Sequence, residues 1–372
     1  MKKQNYLENL DGLRFLCFLS VFLYHSFYTS SADILTSKSY RFIKWQLFGN
    51  GNLGVNFFFV LSGFLITYLL IQEIKLNGKI NLRNFWFRRV LRIWPLYYFC
   101  VFFGFIVFPY LKHLFGLPHG EFANPMYYLM FMSNFDMIYH HLPDASILGS
   151  LWSVAVEEQF YLLWPILLSC LPLRSYWIAF SSIILTSILY RAIHDSPTIH
   201  EMHTLSCIGD MTIGAFGAWL VHFDKVRMKV TNMPRSLIVL VYLLFALFFF
   251  FRRPFFVDSY SIRVFERPVI ALVMLMIILE QSFAEKSFFK MKTFRIISRL
   301  GIISYGLYCL HFIGLLVSTT LSRVFHYNSG IMDVIFVDTF IAFLITVILS
   351  KLSFRYFEGP FLKLKERFSL LN

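Results

Sequence analysis

Ten runs of apolar residues, each close to the length of a membrane-crossing helix, recur along the chain with short polar stretches between them. They lie near 13–29, 53–74, 94–111, 152–171, 175–193, 205–222, 235–251, 268–283, 301–320 and 331–350. A helix needs about 20 apolar residues to cross a bilayer, since each residue adds roughly 1.5 Å of length. The pattern therefore predicts an all-α integral membrane protein with a single bundle of about ten transmembrane helices.

An eleventh segment, 125–139, is shorter and contains Asn134 and Asp136. It is compatible with a crossing, an interfacial helix or a re-entrant loop. Cytoplasmic loops of membrane proteins are enriched in Lys and Arg. If 125–139 does not cross and the N-terminus is inside, 23 basic residues lie inside and 10 outside. If it crosses, the basic loops after residue 220 change sides and the asymmetry shrinks. We therefore expect both termini to be cytoplasmic, in a multi-pass protein of the inner (cytoplasmic) membrane.

Composition supports a membrane protein and excludes several other classes. Hydrophobic residues make up 58% of the chain and charged residues 15%, whereas soluble domains carry about 25% charged residues. The net charge of +13 does not indicate a nucleic-acid partner, because most Lys and Arg lie in short loops between apolar runs. The five cysteines show no metal-ligand spacing, so no metal is expected. We expect one transmembrane domain over 1–372, with no appended soluble domain.

Charged groups within apolar runs are costly in hydrocarbon and therefore mark candidate functional sites. Arg14 and His25 lie eleven residues apart in the first run, so both side chains share one helical face. His25 is the side chain best suited to accept a proton near neutral pH. The alternative is that Arg14 and His25 are satisfied by lipid headgroups.

Three arginines precede the third apolar run and form a candidate binding site. Arg88, Arg89 and Arg92 lie three or four residues apart and cluster on adjacent faces of a helix. Guanidinium groups bind phosphate bidentately. The alternative is an ordinary cytoplasmic anchor for the helix.

Two adjacent carboxylates, Glu157 and Glu158, lie in the outer part of the fourth run at a depth similar to that of His25. At least one of them should face the protein interior, where a carboxylate can orient a histidine base; a structural ion pair with an arginine is the alternative. A polar stripe follows i, i+4, i+7 spacing at Ser304, Tyr308 and His311, and suits either a polar pore or helix packing.

These blocks occur together as LDGLR at 10–14, FFFVLSGFLI at 57–66, RRVLRIWP at 88–95, SLWSVAVEEQFYLLWP at 150–165, SYGLYCLH at 304–311 and FRYFEGP at 354–360. In this order the chain resembles the membrane-bound acyltransferase type 3 family over nearly its full length. It departs from that pattern at Phe15 and Gly359, which affects only local packing. The resemblance implies about ten helices, an acyl-CoA donor and a catalytic histidine in the Arg14–His25 block. It also implies that Arg89 and Arg92 contact the coenzyme's phosphates.

The resemblance and the charge pattern together predict an O-acyltransferase. Acyl-CoA, most simply acetyl-CoA, is expected to dock at the arginines from the cytoplasm, and His25 to act as general base on an extracytoplasmic saccharide or glycoconjugate. Glu157 or Glu158 would orient the base, while Arg14, Ser62 and Tyr305 are possible oxyanion donors. The pore-lining residues would be Ser62, Ser304, Tyr305, Tyr308 and His311. A transporter of a lipid-linked sugar or acyl group, or a structural membrane protein, remains the alternative.

Overall fold

The computed structural model describes residues 7–118, 120–252, 260–325, 327 and 330–368. Within these ranges all regular elements are helical, which confirms the prediction of an all-α protein. Each of the ten apolar runs is occupied by a long helix. Numbered α1 to α10, these are Asn9–His25, Leu53–Asn77, Leu82–Phe102, Leu151–Cys170, Tyr176–Ile193, Thr204–Leu220, Arg235–Arg252, Tyr260–Phe283, Ser304–Val324 and Thr339–Leu352.

Six helical stretches in the described residues are long and apolar enough to cross a membrane, or seven if a bent helix pair counts as one. The six are Leu53–Asn77, Leu82–Leu114, Leu173–Ile193, Arg235–Arg252, Ser304–Val324 and Asp333–Phe368. The remaining long helices are shorter or more polar: α1 has 17 residues, and α4 carries two glutamates. The protein is thus multi-pass, while ten crossings and two cytoplasmic termini stay predictions. The terminal residues 1–6 and 369–372 lie outside the described ranges.

Several of the long helices are extended by π-helical turns. α3 continues through Phe103–Val107 into Phe108–Leu114, and α10 is flanked by Asp333–Asp338 and Ser353–Glu358. Proline lacks a backbone N–H and cannot continue the regular hydrogen-bond pattern. Pro109 and Pro360 each follow one of these turns, so a wider turn accommodates the proline without ending the helix.

The chain divides into two compact units. The first contains Met1–Cys17, Leu53–Arg83 and Val156–Ile302. Its α2 and α6 pack backbone to backbone: a Cβ added at Gly63 would lie 1.8 Å from the Met211 carbonyl oxygen, and one at Gly214 2.0 Å from that of Val60. Only glycine permits this approach, which is a common device for packing helices in membranes.

The second unit contains Phe18–Asn52, Asn84–Ala155 and Ile303–Asn372. A similar approach joins α9 to α10, where a Cβ at Gly314 would lie 2.1 Å from the Thr346 hydroxyl oxygen. The short helices Ala32–Thr36 and Lys38–Arg41 contribute Ile34 and Tyr40 to a small apolar core. Because the chain divides into two compact units, one transmembrane domain over 1–372 stays a prediction.

The uncertain segment 125–139 forms two short helices in the second unit, Pro125–Leu129 and Ser133–Tyr139. Between them Phe131 takes a positive φ of 54°, and its ring stacks on Tyr97 at 4.2 Å. Helices of five and seven residues are too short to cross a bilayer. This local structure agrees with the arrangement in which the segment does not cross.

The surface of the long helices is apolar where a soluble protein would be charged. In α7 only 11% of the apolar stretch is buried within the protein. Leu240, Leu243 and Phe250 are exposed. A helix of this kind needs hydrocarbon as its solvent. The exposed apolar surface therefore supports insertion in a membrane.

Candidate functional site

His25 is the last residue of α1, and the structure surrounds it with aromatic rings of the second unit. Its ring centroid lies 5.4 Å from that of His311 and 4.7 Å from that of Phe312. Tyr24 lies 5.0 Å away on the other side. His25 is partly buried, and its imidazole lies among protein side chains.

His311 is fully buried on α9, and one contact determines its tautomer. Its Nδ1 lies 2.5 Å from the Tyr308 carbonyl oxygen. A carbonyl oxygen only accepts hydrogen bonds, so Nδ1 carries the proton and Nε2 of the neutral ring is an acceptor. Nε2 is buried and has no hydrogen-bond partner among the described residues. The second unit therefore pairs His25 with another imidazole whose basic nitrogen is available.

The rest of the predicted polar stripe holds α9 in place. The Tyr308 hydroxyl lies 2.7 Å from the Ser153 hydroxyl and donates to the Ser150 carbonyl oxygen at 3.2 Å. The Tyr305 hydroxyl donates to the Ile93 carbonyl oxygen, and Ser304 is buried at the start of α9. These contacts are those of helix packing, and a pore-lining role for Ser304, Tyr305, Tyr308 and His311 stays a prediction.

Lys44 lies close to this imidazole pair. Its ammonium group donates to the Ser26 carbonyl oxygen at 2.6 Å and lies 6.0 Å from the centroid of the Phe27 ring. Burial lowers the pKa of Lys44, and its charge acts on His25. The sequence analysis did not single out Lys44, which lies 19 residues beyond His25 in the chain.

In the first unit Arg14 is held by a carboxylate. Its guanidinium donates to Asp11 Oδ1 at 2.7 Å, and the Asp11 side chain is 5% exposed. The pair is three residues apart on α1, so the sequence spacing could have revealed it. Arg14 and His25 belong to different units, and a joint role for them stays a prediction.

Glu157 joins a hydroxyl network in the same unit. The Ser62 hydroxyl donates to Glu157 Oε1 at 2.6 Å and accepts from the Tyr161 hydroxyl at 3.1 Å. Glu157 and Glu158 are both partly buried, and Gln159 accepts from the Thr204 hydroxyl. Glu157 is therefore hydrogen-bonded to another predicted site residue, Ser62. Pairing of either glutamate with His25, which belongs to the second unit, stays a prediction.

The three arginines of α3 are partly buried in the second unit. Arg88 donates to the Phe368 carbonyl oxygen at 2.8 Å, Arg89 lies 5.6 Å from the centroid of the Phe85 ring, and Arg92 acts electrostatically on Glu358. The predicted cluster is therefore part of the folded protein. Contact with coenzyme phosphates stays a prediction.

A charged network in the first unit escaped the sequence reasoning. Arg267, on α8, donates from two nitrogens to Asp210 Oδ2 at 2.6 and 2.9 Å, and both side chains are buried. Arg191 is 1% exposed and donates to the carbonyl oxygens of His200, Arg263 and Val264. The overlooked signal was Asp210, a carboxylate within an apolar run, where a charge needs a partner.

Comparison with known proteins identifies the family. A family model described as an acyltransferase domain matches residues 7–353. The chain belongs to this acyltransferase family. The resemblance drawn from the sequence blocks is thus confirmed. Relatives of the chain are named O-acetyltransferases.

Three relatives show how far the similarity extends. The acyltransferase is 26% identical over 378 residues to a putative peptidoglycan O-acetyltransferase, YrhL, of Bacillus subtilis (strain 168), covering 95% of this chain and 55% of that protein. It is 26% identical over 392 residues to the peptidoglycan O-acetyltransferase OatA of Listeria monocytogenes, covering 97% and 56%. A putative O-acetyltransferase of Staphylococcus aureus (strain COL) is also 26% identical, covering 97% and 58%.

The chain therefore spans little more than half the length of these relatives. No solved structure matches this acyltransferase.

Proposed function

We propose that this acyltransferase transfers an acyl group, most simply acetyl, from cytoplasmic acyl-CoA to a hydroxyl of an extracytoplasmic saccharide or glycoconjugate. Peptidoglycan is the first acceptor to test, because two of the relatives are named for it. The proposal places the protein in the inner membrane with ten crossings and both termini in the cytoplasm. The positive-inside asymmetry of the loops supports that orientation.

The observation that carries the proposal is the imidazole pair in the second unit. A hydroxyl group attacks a thioester slowly, because its proton must leave as the new bond forms. An imidazole near the hydroxyl accepts that proton, which contributes about 10²–10⁴-fold to the rate. His25 and His311, with ring centroids 5.4 Å apart, supply this group among aromatic rings.

The proposed step balances as a simple acyl transfer. The acceptor oxygen bonds to the thioester carbonyl carbon while its proton passes to His25. The carbon–sulfur bond then breaks, and coenzyme A leaves as a thiol once the proton has been returned to its sulfur. Two imidazoles in close contact disfavour a second positive charge, so His25 and His311 together accept one proton more readily than two. Glu157 and Glu158 keep the predicted orienting role.

The test compares two histidine variants in lipid nanodiscs supplied with acetyl-CoA and peptidoglycan fragments. His25→Ala is expected to lose about 10²–10⁴-fold in transfer rate. His141→Ala is the matched control, since His141 is exposed in the same unit and should leave the rate unchanged. Transfer at the wild-type rate by a folded His25→Ala protein would eliminate His25 as the base. Mass spectrometry of the glycan reports whether it carries new O-acetyl groups.

A further inference from the structure

The end of the described chain folds back onto the start of α3. After α10 and its π-helical turn, the helix Gly359–Lys365 is followed by a 3-10 turn, Glu366–Phe368. The Phe368 ring stacks on Phe87 with centroids 4.9 Å apart and an interplanar angle of 7°. The Phe368 carbonyl oxygen accepts a hydrogen bond from Arg88 at 2.8 Å. The two contacts fix this segment beside the arginine cluster.

This docking brings a fourth cation to the arginines. Lys365 lies one short turn before Phe368 and is partly buried, whereas Lys363 of the same helix is exposed. The Lys365 ammonium interacts electrostatically with Arg92, Arg89 and Arg88. Two carboxylates interact with members of this cluster: Glu358 with Arg92, and Glu366 with Lys365. Four cations thus lie in one cluster within the described part of the second unit.

Such a gathering is unfavourable by itself, because like charges repel and burial weakens the screening by water. A lysine that only anchors a helix at the membrane surface is free to extend into water. Such a lysine would not need to lie beside three arginines. A bound anion offsets this repulsion, because each of the cations attracts it. Phosphate suits this set of groups: arginine binds it through two parallel hydrogen bonds, and lysine binds it as a compact point charge.

We infer that Lys365 completes a phosphate-binding site with Arg88, Arg89 and Arg92, and that the phosphates of acyl-CoA occupy it. The inference rests on the proposed function, which supplies acyl-CoA as the donor. The C-terminal turn would then act as part of the donor site, with the contacts of Phe368 holding Lys365 in position. An anionic lipid headgroup offers the same phosphate chemistry and is the other source to be tested.

The experiment measures acetyl-CoA binding to the full chain in nanodiscs by calorimetry. Lys365→Ala is compared with Lys363→Ala, which removes the same charge from the same helix at an exposed position. The inference predicts that Kd rises roughly tenfold or more for Lys365→Ala, less for Lys365→Arg, and remains within twofold for Lys363→Ala. Discs of phosphatidylcholine alone and discs containing phosphatidylglycerol separate coenzyme from headgroup binding.

Each result decides the matter. The inference is overturned if Kd is unchanged in Lys365→Ala or is raised equally in both alanine variants. In either case, binding of acetyl-CoA by the wild type still supports acyl-CoA as the donor. Absence of acetyl-CoA binding by the wild type overturns both together. Loss of phosphatidylglycerol retention in Lys365→Ala, with no change in the Kd for acetyl-CoA, would assign the site to lipid and reject the coenzyme.

Discussion

Replacing Arg267 with alanine should reveal how much the first unit depends on its buried charges. The guanidinium binds Asp210 through two nitrogens and also donates to the carbonyl oxygens of His200 and Glu201. Asp210 is 1% exposed, and of its hydrogen bonds among the described residues it would keep the one from the Asn56 amide at 3.1 Å. The variant therefore leaves a carboxylate buried without its cation.

The size of the effect follows from burial. Removing one partner of a buried ion pair costs about 3–5 kcal/mol of stability, because the remaining charge is uncompensated. Four residues earlier on α8, Arg263 pairs with Asp195 at the same distance of 2.6 Å, but the Asp195 side chain is 60% exposed. An exposed pair contributes about 0–1 kcal/mol. Two pairs of equal length should thus differ several-fold in their contribution.

The assay is the free energy of unfolding in mixed detergent micelles, measured for Arg267→Ala and for Asp195→Ala as the exposed control. The double variant Arg267→Met with Asp210→Asn removes both charges and should recover part of the loss, which measures the coupling between them. Equal destabilisation by Arg267→Ala and Asp195→Ala would refute the reasoning, because burial would then have no influence on the contribution of the pair.

Three further predictions concern the site and the topology. Lys44→Met removes a positive charge that disfavours protonation of the neighbouring base, so the acidic limb of the pH–rate profile should move to higher pH. Ser62→Ala removes the hydroxyl bound to Glu157, and a charge-assisted hydrogen bond of about 1.5–3 kcal/mol predicts a roughly tenfold or greater fall in kcat with unchanged acetyl-CoA binding. A cysteine at Lys79 should react with an impermeant maleimide only in inverted vesicles, and one at Lys38 only in intact cells.

Each of these has a matched control. Lys38→Met removes an exposed charge of the same loop and should leave the pH profile unchanged; a shift of equal size there would contradict the role of Lys44. Ser62→Thr keeps a hydroxyl and should restore most of kcat, whereas a wild-type kcat in Ser62→Ala would show that the contact is not needed. For labelling, exposed Cys170 is first replaced with serine, and labelling of positions 38 and 79 from one side would reject the predicted orientation.

The membership of the candidate site followed from the sequence only in part. Arg14, His25 and Glu157 stood out because ionisable groups are rare in apolar runs, and the three arginines stood out because they cluster before such a run. The partners of these residues were harder to predict. The three-residue spacing could have identified Asp11 as the partner of Arg14, whereas no spacing rule indicates Lys44 or Lys365. The latter two lie in polar stretches, where a lysine is ordinary, and only the folding of those stretches places them beside other charges.

The sequence by itself determined that the protein lies in a membrane, that its fold is helical and that it belongs to the acyltransferase family. Hydrocarbon admits helices whose backbone groups are satisfied internally, so apolar runs of sufficient length predict both the membrane and the fold class. The tertiary structure decided which side chains meet. His311 is 286 residues from His25 in the chain, yet their rings lie in contact. Periodicity reports which face of a helix a residue occupies, but only the packing of helices decides what that face touches.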